Sequence, residues 1–257
     1  MAYVNNCVAP PATDALAEWE KVKDKVLDPK VAYDLNFCYP VGELENDRVK
    51  LTPFVPAIHL KDWFQLSKDH GDLYRFMPFG PFDSEDAVGA WIEQRIHKDP
   101  GNVLFIILDK ASKKIAGALG VLSTMRERMS TEIGFVMILP EFRRTHVTTN
   151  AVGLLFHWLL DDEKDGGLGL NRVQWQAHAS NAPSVRAAER LGFRNEGTEK
   201  WQRGLVKGKE GREGVKERAT FNGVGRDSVV LAICWDEWND GGRQKVDGMM
   251  AYVKHSS

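Results

Sequence analysis

Apolar positions first recur at helical spacing. Leu16, Trp19, Val22 and Val26 form one stripe behind Thr13-Asp14, which can cap a helix running through Lys25 and packing on the core. The period then switches to that of a strand over Arg48–Phe54, where Val49, Leu51 and Phe54 are apolar. Helical spacing returns over Ala57–His70 with Leu60, Trp63, Phe64 and Leu66. A second helix is predicted from the acidic start Asp83-Ser84-Glu85-Asp86 through Ile96, with Pro100-Gly101 ending it. Three strand-like runs follow, Val103–Leu108, Ile115–Leu122 and Thr131–Ile138, the first two joined by a polar turn at Asp109–Lys113. Pro140–Ala151 then leads into the apolar helical run Val152–Leu160.

Beyond it come a strand at Arg172–Ala177, a short helix at Pro183–Leu191 and a strand at Arg194–Trp201. Gly204–Gly225 is rich in glycine and charge and reads as a long flexible connection to a last strand, Ser228–Trp235. The tail Asp240–Lys254 is only weakly amphipathic. A meander of antiparallel strands followed by a helical crossover implies a mixed, mostly antiparallel sheet with helices on both faces, an α/β (α+β) fold. The pattern divides the chain into an extension with a helix over residues 1–46, a main unit over 47–238 and a tail over 239–257.

Composition narrows the function without choosing it. The 257 residues are 43% hydrophobic and 27% charged with a formal charge of −2, so no global field favours nucleic acid or an anionic membrane. Residues 1–12 are proline-broken and lack a signal core, and no apolar run approaches the ~20 residues of a membrane span. Cys7, Cys38 and Cys234 are far apart, with neither metal spacing nor a disulfide framework. The expectation is a soluble cytoplasmic protein, monomer or homodimer, without a metal.

The most informative stretch is Pro140-Glu-Phe-Arg143-Arg144-Thr145-His146-Val147-Thr148-Thr149-Asn-Ala151. A strand that turns directly into a helix leaves the first helical N–H groups unpaired, and these with the helix dipole suit a phosphate. Farther on, Asn181-Ala-Pro-Ser184-Val-Arg-Ala-Ala-Glu-Arg-Leu191-Gly192-Phe193 supplies a helix cap at Asn181, a proline in the first turn and a glycine end. A polar helix start and a capped short helix are each commonplace; their order and separation are not. Together they resemble the GCN5-related N-acetyltransferases. That family carries Arg/Gln-x-x-Gly-x-Gly/Ala at its pyrophosphate loop, where this chain has His146 and Thr148 in place of the small residues, and Asn-x-x-Ser followed by Leu-Gly-Phe. The closing strand, Gly225–Trp238, looks like that of the branch acetylating ribosomal-protein amino termini.

The resemblance implies an acyl-CoA N-acyltransferase fold over residues 47–238 and acetyl-CoA as co-substrate. It places the pyrophosphate at Arg143, Arg144, Thr145, His146, Val147, Thr148 and Thr149, with Asn181 and Ser184 nearby and the pantetheine along the backbone of Met137, Ile138 and Leu139. Such a transfer needs a base for the amine proton and an acid for the leaving thiolate. Glu132, at the start of the central strand, is the candidate base, with His178 an alternative; Ser184 is the candidate acid by resemblance. Asp161, Asp162 and Glu163 read as a solvated helix end and His157 as a packed residue. The acceptor would be a small-molecule or peptide amine, attacking directly within a ternary complex. Trp63, Phe64, Tyr74, Phe76, Phe79, Phe82 and Trp201 are aromatic candidates for its lining. The rival is a non-catalytic acyl-CoA- or partner-binding protein on the same fold. The basic loop Arg203–Arg218 is interspersed with glutamates, which argues against nucleic acid.

Overall fold

A computed structural model of the chain describes residues 13–206, 208–213 and 223–252. Eight strands form one sheet in the order β1-β2-β3-β4-β5-β6-β8-β7. They are β1 (Leu44–Glu45), β2 (Val49–Pro53), β3 (Val103–Asp109), β4 (Lys114–Met125), β5 (Ser130–Ile138), β6 (Arg172–His178), β7 (Arg194–Val206) and β8 (Gly223–Cys234). All neighbours are antiparallel except β5 and β6. That parallel pair requires the crossover helix, α4 (Val147–Leu160), which is buried along most of its length. The mixed sheet expected from the order of elements is therefore the observed one.

Helix α1 (Ala15–Val26) starts where Asp14 accepts hydrogen bonds from the N–H groups of Leu16 and Ala17. Of its apolar stripe only Trp19 is fully buried, with its Nε1 donating to Asp86 at 2.7 Å. Trp19 lies against Gly89 of α3 (Glu85–Ile92), where any Cβ would fall 2.5 Å from its ring. Helix α2 (Pro56–Ser67) is shorter than the apolar spacing suggested, and a 3-10 turn at Gly71–Tyr74 follows it. Helix α3 passes into a π turn at Glu93–His97.

Three expectations need correction. The helix expected at Val152 begins at Val147, because Thr145 and His146 satisfy its start from the preceding loop. The stretch Gly204–Gly225 is not a plain connection. Strand β7 continues to Val206 and pairs with β8 through Gly204↔Gly225, Leu205↔Val224 and Val206↔Gly223, while the residues between 213 and 223 lie outside the described ones. Asp161 is buried, not solvated. It accepts from His157 Nδ1 (2.7 Å), Trp238 Nε1 (2.8 Å) and Arg243 (3.1 Å). This cluster holds the chain's end, which passes through the single turn α6 (Trp235–Glu237) into α7 (Arg243–Ala251). Helix α7 packs on α4 through Val246 and Met250.

Candidate active site

Strands β5 and β6 pair only at Ser130↔Arg172, Thr131↔Val173 and Glu132↔Gln174. Beyond Glu132 they part, and a cleft of about 1200 Å³ opens between them. On the β4 side, Phe135 and Val136 together face Leu119, and Phe135 adopts a φ of 50°. This bulge, with a side chain held in the left-handed region, re-aims β5 at the cleft wall. Phe135 is supported from behind by Phe79 and Trp91, at ring separations of 4.8 and 5.7 Å.

At one end of the cleft the chain leaves β5 and enters α4. Arg143, Arg144, Thr145, His146, Thr148 and Thr149 line this end, whereas Val147 is buried beneath it. Among the described residues nothing accepts from the N–H groups of Arg144, Thr145, His146, Thr148 or Thr149, so the start of α4 presents free donors to the cleft. The left-handed residue of the turn is Arg144, at a φ of 61°, while His146 has an ordinary φ of −68°. A histidine therefore fits there without strain. Its ring does not crowd the donors, because Nε2 is bonded to Asp109 Oδ1 at 2.9 Å. Asp109 is also bound by the N–H and hydroxyl of Ser112. Burial acts to raise its carboxyl, but the Ser112 and His146 bonds outweigh that and hold it below the usual carboxylate range.

Arg143 is already engaged. Its Nε donates to the Ile138 carbonyl at 2.9 Å and its guanidinium meets Asp72 at 2.6 Å, tying the turn after α2 to the end of β5. Arg144 carries no such pairing among the described residues. Leu139 donates its N–H to Ala116 on β4. By alternation Met137 also bonds toward β4, and of Met137, Ile138 and Leu139 it is Ile138 whose backbone groups face the cleft.

On the opposite wall Asn181 caps α5 (Ala182–Leu191), accepting from the Ser184 N–H, and Gly192 ends the helix at a φ of 108°. Ser184 Oγ accepts from Trp175 Nε1 at 3.0 Å, which leaves its own proton free to be donated into the cleft. Trp175 points to the α5 side. Gln174, Gln176 and His178 alternate to the other face, the one that carries Glu132.

Glu132 sits on the cleft floor at the last paired position before the strands part. Solvent reaches part of the side chain, but the protein packed around the carboxyl pushes it up to about 7, against the pull of Arg226, Arg203 and Arg95. A carboxyl poised near neutrality has the affinity a general base needs. His178 is placed differently. Its Nδ1 accepts from Ser180 N–H, so Nε2 carries the proton and donates to the Glu210 carbonyl at 3.1 Å. Burial holds its ring below the ordinary histidine range, neutral and used at both nitrogens. It clamps the segment Gly208–Glu213, which is also fixed where Lys209 donates to the carbonyls of Tyr74 and Phe79, both at 2.9 Å.

Of the aromatic acceptor candidates, Phe76 lines the cleft, while Trp63 and Tyr74 are core residues and Trp201 is exposed. Arg95, Arg203 and Arg226 around Glu132 were missed by motif reading. They come from a π turn and from paired positions on β7 and β8, and no local pattern marks them. No group of three or more histidine, cysteine, aspartate or glutamate side chains is placed to hold a metal among the described residues. Nor is any described helix long and apolar enough to cross a membrane.

The site is a cleft between two parting parallel strands, with free helix N–H groups at one end and Glu132 on its floor. The acetyltransferase (GNAT) domain model matches residues 48–194, more than half of the chain, and the protein belongs to this family of N-acetyltransferases. Among solved structures, a GCN5-related N-acetyltransferase from Brucella melitensis is 25% identical over 83% of this chain and 87% of its own, with a TM-score of 0.69. Two others share the fold. A protein of Chromobacterium violaceum assigned to the GNAT acetyltransferases is 24% identical over 92% of this chain and 100% of its own, with a TM-score of 0.64. The spermidine N-acetyltransferase of Vibrio cholerae, solved with CoA and spermine, is 17% identical over 76% and 99%, with a TM-score of 0.54. No curated protein matches the sequence.

Proposed function

We propose that the protein transfers the acetyl group of acetyl-CoA to a primary amine by direct attack within a ternary complex. The observation that carries the reading is the placement of Glu132, a carboxyl near neutrality, in the same cleft as the free donors of α4. Acetyl-CoA supplies an activated thioester. The N–H groups at Arg144–His146 and Thr148–Thr149, with the Arg144 guanidinium, hold the pyrophosphate. The cleft-facing backbone of Ile138 aligns the pantetheine, and N–H groups near Val136–Ile138 polarise the thioester carbonyl. Glu132 takes one proton of the incoming ammonium, the neutral amine forms the C–N bond, and as the C–S bond breaks the second nitrogen proton passes through the Ser184 hydroxyl to the thiolate, leaving an amide and the free thiol. No side-chain nucleophile is required, because amine and thioester meet in one cleft.

The test is thiol release from acetyl-CoA in the presence of a panel of primary amines, with acetylated products identified by mass. At least one amine is expected to accelerate thioester loss well above hydrolysis. CoA binding with no amine-dependent release across peptide amino termini, amino acids and polyamines would replace this reading with that of a non-catalytic acyl-CoA-binding protein.

A further inference from the structure

Three arginines surround the acceptor end of the cleft. Arg203 on β7 and Arg226 on β8 are direct cross-strand partners, so their side chains leave the sheet on the same face, the one that carries Glu132. Arg95 projects toward them from the π turn after α3, and all three line the cleft. Like charges opposite one another on a sheet destabilise it. Here the arrangement is also desolvated. Arg226 is only 8% exposed, and burial together with the field of Arg203 lowers its guanidinium to about 10. Yet no carboxylate among the described residues lies within 4.0 Å of any of the three. Glu132 acts on them at longer range, and Glu199 acts on Arg203, so positive charge still exceeds negative here.

The hydrogen bonding is equally incomplete. Three buried side-chain atoms among the described residues lack a partner: Arg226 Nε, Gln176 Oε1 and Ser228 Oγ. They belong to neighbouring positions of β6 and β8 on this face, since His178 pairs with Ser228 and Gln176 with Val230. Arg226 makes one long donation, 3.3 Å to the Gln176 carbonyl. A buried guanidinium with an unused donor and no counter-ion is expensive unless something else completes it. The geometry points to an acceptor amine that carries an oxyanion, a carboxylate or a phosphate, held by Arg95, Arg203 and Arg226 while its nitrogen faces Glu132. Gln176 Oε1 is then free to accept from the acceptor's own N–H groups. The same field repels polyamines, so this site selects against the ligand class seen in the Vibrio cholerae relative.

This inference deepens the acetyl-transfer reading and rests on it for chemistry, so binding and turnover are measured separately. The probes are two matched pairs, phenylalanine with phenylalaninamide and O-phosphoethanolamine with ethanolamine, with spermidine alongside. Calorimetry on the CoA-saturated protein decides the inference. At least one anionic member is expected to bind at least tenfold more tightly than its neutral partner, and which pair responds distinguishes carboxylate from phosphate. Arg226→Gln, and independently the exposed Arg95→Gln in case the first does not fold, should reduce that preference at least fivefold. Equal binding within both pairs, tighter binding of spermidine, or a preference untouched in both folded variants would overturn the anion site. Thiol release with the same probes tests the other reading: selective binding of an anionic amine without any acetylation would leave the site standing and remove the catalytic role.

Discussion

Replacing Glu132 by glutamine tests the central feature of the site. Burial moves this carboxyl from an ordinary value of 4.5 to about 7. Moving the carboxyl that far corresponds to about 3 kcal/mol between its two protonation states. The raised value means that the neutral form is favoured in the folded state. Its contribution to stability is fully present below about pH 4.5, is lost as pH rises toward 7, and is absent above it. Glutamine does not titrate and resembles the neutral form. The stability of Glu132→Gln relative to wild type should therefore rise by about 3 kcal/mol between pH 4.5 and pH 8, as read by urea unfolding at the two pH values. Catalysis should move the opposite way. The wild-type kcat/KM should climb about tenfold per pH unit below 7 and level off above it, because only the ionised carboxylate accepts a proton. The glutamine variant should lose that inflection and roughly 100- to 10,000-fold in kcat, with little change in CoA affinity. A pH-independent stability difference would show that Glu132 is solvated. A wild-type rate with the inflection intact in Glu132→Gln would place the base elsewhere.

Replacing both Arg143 and Arg144 by alanine should weaken CoA at least tenfold by calorimetry, since charge-assisted phosphate contacts are each worth roughly 1.5–3 kcal/mol. Arg144→Ala alone should account for most of that loss, because Arg143 is already spent on Asp72 and Ile138. His146→Ala should lower unfolding stability by roughly 1–3 kcal/mol by leaving buried Asp109 short of a partner, while CoA affinity changes less than about threefold. A large affinity loss there would mean that the ring, not the backbone, meets the phosphate. Asp161→Ala should destabilise by roughly 3–5 kcal/mol in urea unfolding, because Trp238, His157 and Arg243 lose a shared buried acceptor. An effect under ~1 kcal/mol would show that α7 is held by apolar packing alone.

The periodicities by themselves determined the order of elements, and that order forces a parallel β5–β6 pair with α4 as its crossover. Two local strings, around Arg143–Thr149 and Asn181–Phe193, marked a helix start and a capped helix that both line the cleft, because helix starts and caps are short-range events written in adjacent residues. Glu132 stood out in the sequence as a carboxylate at the start of the central strand. Tertiary structure decided what each group is free to do. It turned His146 onto Asp109, set His178 Nε2 on the Glu210 carbonyl and committed Arg143 to Asp72, each through a partner dozens of residues away. It buried Asp161 under a C-terminal helix whose weak amphipathic pattern gave no sign of docking. It also gathered Arg95, Arg203 and Arg226 around one carboxyl, a charge arrangement that exists only because β7 and β8 pair in one register and α3 ends above them. Sequence spacing reports which groups lie on one element; desolvation and counter-charge depend on what other elements bring within a few ångströms, and that is a property of the fold.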